Sequence, residues 1–90
     1  MDENVVVIGR KPVMSYVLAC LTLFHQGFND VVIRARGKAV SKAVDVVNIV
    51  KEKFIPTAKV KSLELGSERL VNERGNVVNL STMSITLTKE

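Results

Sequence analysis

The chain has one cysteine, one histidine, one tyrosine and no tryptophan among its 90 residues. With Cys20 alone, no intrachain disulfide can form. Cys20 lies in an apolar run of helical character, where a free cysteine behaves as a small buried hydrophobe, and a reducing compartment suits it. His25 follows five residues later, about 140° around a helix from Cys20. That geometry forms no Cys–His dyad, and the chain offers too few further ligands for a metal site. Asp and Glu are scattered, with no pair spaced for acid–base work. The sequence therefore predicts no catalytic residue, no metal and no cofactor. Neither a nucleotide-triphosphate loop nor a dinucleotide fingerprint is present.

Aromatic side chains are limited to Tyr16, Phe24, Phe28 and Phe54. None falls among the basic turns described below, which argues against stacking of unpaired bases as the main binding mode. The apolar run over residues 13–24 is too short to span a bilayer. The opening MDENVVVIG is acidic and lacks the basic region of a signal peptide. The expectation is a soluble, cytoplasmic protein with no membrane partner.

What is present is a hydrophobic content of 47%, ample for a globular fold. The length predicts a single domain over residues 1–90. Its modest core makes oligomerisation a natural route to stability. Net charge is +4, and it is unevenly spread. Residues 10–42 carry six basic side chains (Arg10, Lys11, Arg34, Arg36, Lys38, Lys42) against one acid, Asp30. The rest of the chain carries seven basic and eight acidic residues. The excess positive charge is thus confined to one stretch, which points to an anionic partner.

The β-branched run over residues 5–8 reads as a buried strand. Pro12 suits the first turn of a helix over residues 12–25, which ends near Gly27. Residues 31–35 read as a second buried strand, so strand, helix and strand form a βαβ unit. A second helix is predicted over residues 38–54, with Val40, Ala43, Val44, Val47 and Val50 as its apolar stripe and Pro56 as its stop. Leu63 and Leu65, then Met83, Ile85 and Leu87, alternate with polar residues as two strands. Asn72-Glu73-Arg74-Gly75-Asn76 between them is a turn. The alternation falters near this tip, where Leu70 and Val71 are adjacent, as are Val77 and Val78. Either an arm leaving the main sheet or a bulge accounts for that. The predicted fold is a two-layer α/β sandwich of order β-α-β-α-β-β.

Gly9-Arg10-Lys11-Pro12 and Arg36-Gly37-Lys38 each follow a strand and open a helix. Parallel strands bring both turns to the same edge of the sheet, where helix N-termini favour anions. Arg10, Lys11, Arg36 and Lys38 gather there, with Lys42 one turn along the second helix. Taken singly, each is an ordinary solvated charge; their convergence favours a phosphate-binding surface with little sequence preference. Arg69 and Arg74 on the hairpin suit an arm lying along a minor groove, although Glu68 and Glu73 fit a plain solvated hairpin. Phe54 either closes the core beside Pro56 or, if exposed, forms an apolar knob suited to self-association.

The stretches IGRKPVMSYV (residues 8–17) and ARGKAVSKAVD (residues 35–45) resemble the two signatures of the Alba family of archaeal chromatin proteins, and the resemblance extends over most of the chain. It implies a mixed four-stranded sheet with two helices and a long C-terminal β-hairpin arm. This fold is similar to that of the C-terminal domain of bacterial translation initiation factor three. It further implies an architectural, chromosome-associated protein that coats and compacts double-stranded DNA as homodimers and binds RNA as well. The family's central basic pair falls on Arg10 and Lys11, its second basic loop on Arg36 and Lys38, and its hairpin arm on residues 70–80. Gly9 and Gly37 match the glycines that admit phosphate to the backbone. Phe54 matches the apolar residue of dimer–dimer contacts, and higher assemblies or heterodimers with a paralogue are implied partners. Some members carry lysine where this chain has Arg10, and that lysine is the one acetylated; Arg10 removes the target and keeps the charge. A protein that binds primarily RNA, as a ribonucleoprotein subunit or RNA chaperone, is the alternative reading.

Overall fold

Four strands form one mixed sheet in the order β1-β2-β4-β3. The computed structural model describes residues 3–89. Strands β1 (Val5–Val7) and β2 (Asp30–Arg36) pair in parallel, with Val6 opposite Ile33. Helix α1 (Val13–His25) connects them. Strands β3 (Lys59–Val71) and β4 (Val77–Thr88) form an antiparallel hairpin, and β4 inserts beside β2. Helix α2 (Ala39–Ile49) lies between β2 and the hairpin in sequence.

The core sits between the helices and one face of the sheet. Val31, Ile33 and Ala35 on β2 and Met83, Ile85 and Leu87 on β4 are buried on that face, as the strand alternation requires. Tyr16, Val17, Cys20 and Phe24 of α1 close over them, together with Ala43, Val46 and Val47 of α2. The other sheet face, which carries Val7 and Arg34, is open.

Helix α1 stops as its sequence predicts. Gly27 takes φ 106°, and its N–H donates to the Phe24 carbonyl while the Phe28 N–H reaches the Leu23 carbonyl. This is a Schellman closure of the last turn.

Helix α2 departs from the expectation in two ways. It ends at Ile49, and residues Val50–Phe54 continue as a π turn, in which the Ile55 N–H donates to the Val50 carbonyl at 2.7 Å. The core-facing stripe also differs: Val46 is buried, whereas Val44 is 41% exposed. Positions 43, 46, 47 and 50 share the core face, and Val44 lies one step around from it.

The hairpin tip is regular. Leu70 pairs with Val78 and Val71 with Val77, and the register shift lies at the base, between Val60 and Ser62. Adjacent apolar residues at the tip thus form one cross-strand pair on each face of a ribbon that has no core beneath it. Asn72 organises the turn through its Oδ1, which accepts from the Arg74 and Asn76 N–H groups, while Gly75 takes φ 81°.

Candidate nucleic-acid interface

Because β1 and β2 are parallel, the segments that leave them emerge at one edge of the sheet. The Ile8 N–H donates to the Arg34 carbonyl at 2.8 Å, so the ladder runs up to the first basic turn. A trough of about 1180 Å³ opens there, lined by Gly9, Arg10, Arg34, Arg36, Lys38 and Lys42 among others. Glu64 and Glu68 from β3 line it too, so positive charge dominates without being unopposed. Arg10, Lys11, Arg36 and Lys38 are all exposed. Lys11 does not line this trough with Arg10; it borders a smaller groove between β1 and α1.

The second turn is built around Gly37. Its φ of 56° is left-handed, and its N–H donates to the Ser81 carbonyl of β4 at 2.7 Å. Its own carbonyl receives the Val40 N–H, which starts α2 directly behind Lys38. The turn is therefore tied to the central strand. Gly9 has another reason to be small: a Cβ there would lie 3.2 Å from the Tyr16 hydroxyl.

That hydroxyl is a feature the sequence reading missed. Tyr16 Oη accepts the Gly9 N–H at 2.8 Å and the Lys11 N–H at 3.0 Å. Side chains on a helix lean toward its N-terminus, so a tyrosine in this turn reaches back to the preceding loop. Lys42 reaches the same loop from α2. Its Nζ donates to the Gly9 carbonyl at 3.0 Å and the Lys11 carbonyl at 2.9 Å, and it lies 5.9 Å from the centre of the Tyr16 ring.

Two further members of the trough were not singled out from sequence. Arg34 stands two residues before Arg36 on β2, hence on the same face, and that spacing was the available signal. Glu68 accepts from Arg36 Nη1 at 2.5 Å, a pairing set by tertiary register. Arg69 follows Glu68 on the strand and so faces the opposite side. Arg74 sits in the hairpin turn, and neither arginine lines the trough. Phe54, at the end of the π turn, is 46% exposed.

Cys20 is fully buried, and burial pushes its thiol up to about 12, which leaves it protonated. Among the described residues, no three His, Cys, Asp or Glu side chains are grouped to hold a metal ion. No helix among them is long and apolar enough to cross a membrane.

The Alba family model matches residues 4–67. The chain belongs to the Alba family. It is 48% identical over 88 residues to the DNA/RNA-binding protein Alba of Thermoplasma acidophilum, covering 98% of each chain. It is 47% identical over 90 residues to the DNA/RNA-binding protein Alba 1 of Archaeoglobus fulgidus, covering 100% of each. Among solved structures, Alba from Thermoplasma volcanium superposes with a TM-score of 0.89 at 48% identity, over 94% of this chain and 99% of that one. The mixed four-stranded sheet with two helices is thus the Alba fold, as the two signatures implied.

Proposed function

We propose that this Alba-family chain binds double-stranded DNA, and RNA, with little sequence preference, and that it coats and compacts chromosomal DNA as a homodimer. The observation that carries the reading is the meeting of two basic turns, around Arg10–Lys11 and Arg36–Lys38, at one edge of one sheet. Relatives nearly half identical over their whole length are named DNA/RNA-binding proteins, which supports the same partners here. In this reading Arg10, Lys11, Arg36 and Lys38 contact backbone phosphates, with the partial positive charge of two helix N-termini behind them. Gly9, Gly37 and Lys42 belong to the same surface by keeping its two turns close. Arg69 and Arg74 extend the contact along a groove through the arm.

A second copy fits the exposed part of β3. Leu63 and Leu65 are 53% and 75% exposed, yet they stand opposite Ile85 and Met83, whose side chains face the helix layer. The helix-side face of β3 is therefore apolar and uncovered, as a strand completed by a partner chain would be. Phe54 then links neighbouring dimers along the duplex.

The test is Arg10→Ala with Lys11→Ala, measured against a short duplex DNA and a structured RNA over a range of salt. With about six phosphates neutralised per dimer, log affinity of the unaltered protein falls with log salt at a slope of about −5. Each lost contact reduces that slope by about 0.9. A salt-indifferent binding curve sinks the proposal. Preference for the RNA at physiological salt would make the protein primarily an RNA binder.

A further inference from the structure

We propose that Tyr16 and Lys42 are positioning residues, a two-sided clamp that holds the Arg10–Lys11 loop in its binding shape and locks it to the second basic turn. This inference rests on the nucleic-acid reading above and deepens it. The loop at issue begins at Gly9, which has no Cβ to restrict its backbone, and ends at Pro12. A loop of this kind at a surface is mobile unless its peptide groups find fixed partners. Here Gly9 and Lys11 each have both N–H and C=O engaged. The two N–H groups converge on one oxygen, Tyr16 Oη, at 2.8 and 3.0 Å. The two carbonyls converge on one nitrogen, Lys42 Nζ, at 3.0 and 2.9 Å.

Neither clamp residue is placed as a primary phosphate contact. Tyr16 is a buried member of the core, and its oxygen is committed to the two amides. Lys42 spends two of its three donors on carbonyls and is only partly exposed. The residue between the two clamped peptides is Arg10, exposed and aimed into the trough. Lys42 also belongs to α2, the helix that Gly37 and Lys38 open. Its two bonds to the first loop therefore fix the distance between the basic turns. A surface whose spacing is set before binding loses less freedom on binding.

The proposal is tested with Tyr16→Phe, which removes the hydroxyl and no charge. Lys42→Met serves as the second clamp variant and Lys11→Met as the reference phosphate contact. Each is measured for binding to a 20-base-pair duplex over a salt series, and for amide hydrogen exchange in the protein alone. Tyr16→Phe should weaken binding roughly three- to tenfold with the salt slope unchanged. Its Gly9 and Lys11 amides should exchange about tenfold faster, while those of β2 and β4 stay as they were. Lys42→Met should loosen the loop and lower the slope by less than Lys11→Met does. Lys42 is partly exposed and outside the buried core, so its variant carries the test if Tyr16→Phe fails to fold.

Wild-type affinity in Tyr16→Phe overturns the clamp, as does weaker binding without faster loop exchange. Exchange that rises equally across the sheet overturns it as well. So does a Lys42→Met variant that loses as much slope as Lys11→Met while its loop exchanges normally. Absence of salt-dependent binding in the unaltered protein is a different failure: it removes the proposed function, and the positioning role with it.

Discussion

Arg36 Nη1 donates to Glu68 Oε1 at 2.5 Å, so a carboxylate from the outer part of the β3 arm of the hairpin occupies the guanidinium that opens the second basic turn. A carboxylate and a phosphate use the same planar donor fork of arginine. In the protein alone, Glu68 therefore holds the place of the anion that Arg36 is proposed to bind. Both side chains are well exposed, 59% and 43%, so solvent screens the pair and it contributes little, about 0.2–1 kcal/mol. Glu68→Gln should tighten duplex binding by roughly two- to fivefold and steepen its salt dependence, read by anisotropy titration at two or more salt concentrations. Unchanged affinity would show that Arg36 does not exchange one anion for the other.

The arrangement around Arg36 also shows what the sequence could and could not reveal. Strand β1, the turn at residues 9–12 and helix α1 were legible because the β-branched run, Pro12 and Gly27 each carry a local rule. The meeting of the two basic turns followed from parallel strands alone. The partners of those turns did not follow. Tyr16 lies outside the basic segments, inside the apolar run of α1, yet its hydroxyl closes the loop. Glu68 lies 32 residues beyond Arg36, and only the β2–β4–β3 order makes them neighbours. In helix α2 the apolar spacing points to Val44 and passes over Val46: valines at 40, 44, 46, 47 and 50 fit more than one face, and packing buries Val46 and leaves Val44 exposed. The π turn at Val50–Phe54 has no signature in residue spacing.

Gly37 is the position in the site where backbone conformation restricts the side chain most directly. With φ at 56°, an alanine pays about 1–2 kcal/mol for the left-handed region, partly offset by the stiffer unfolded chain. Its Cβ would meet Leu80 Cδ2 at 3.4 Å, an ordinary contact, so sterics add little. Gly37→Ala should lower stability by about 1 kcal/mol and the melting midpoint by about 5 °C, measured by thermal denaturation. A variant as stable as the parent would show that the turn relaxes to another conformation.

Asp30 links the sheet to pH. The Lys61 ammonium, donating to Asp30 Oδ2 at 2.8 Å, holds the carboxyl below its usual range, and a hydrogen bond from Thr88 acts in the same direction. The folded value is below the unfolded one, so the pair's stabilisation is fully present above the ordinary aspartate value of about 3.9. It is lost as pH falls through the lowered folded value. The difference in melting midpoint between the parent and Asp30→Asn should be constant from neutral pH to about 4, then shrink toward more acid pH. A difference that stays constant through pH 2 would show that the pair does not titrate as described.

Leu65 gives the most direct access to the proposed dimer. In the single chain it is 75% exposed although its neighbour across the ladder, Met83, is buried. Lysine at this position costs the single chain little, because the side chain already faces water there. In a dimer that covers β3, the same substitution places two charges in an apolar interface, where an unpaired charge is strongly unfavourable. Leu65→Lys should therefore leave the melt of the individual chain nearly unaltered and convert the dimer to single chains, read by sedimentation or light scattering. Duplex affinity should fall with it, because two linked basic surfaces hold a duplex more tightly than either alone. If Leu65→Lys remains a dimer with parental affinity, the exposed leucines of β3 are not where the two copies meet.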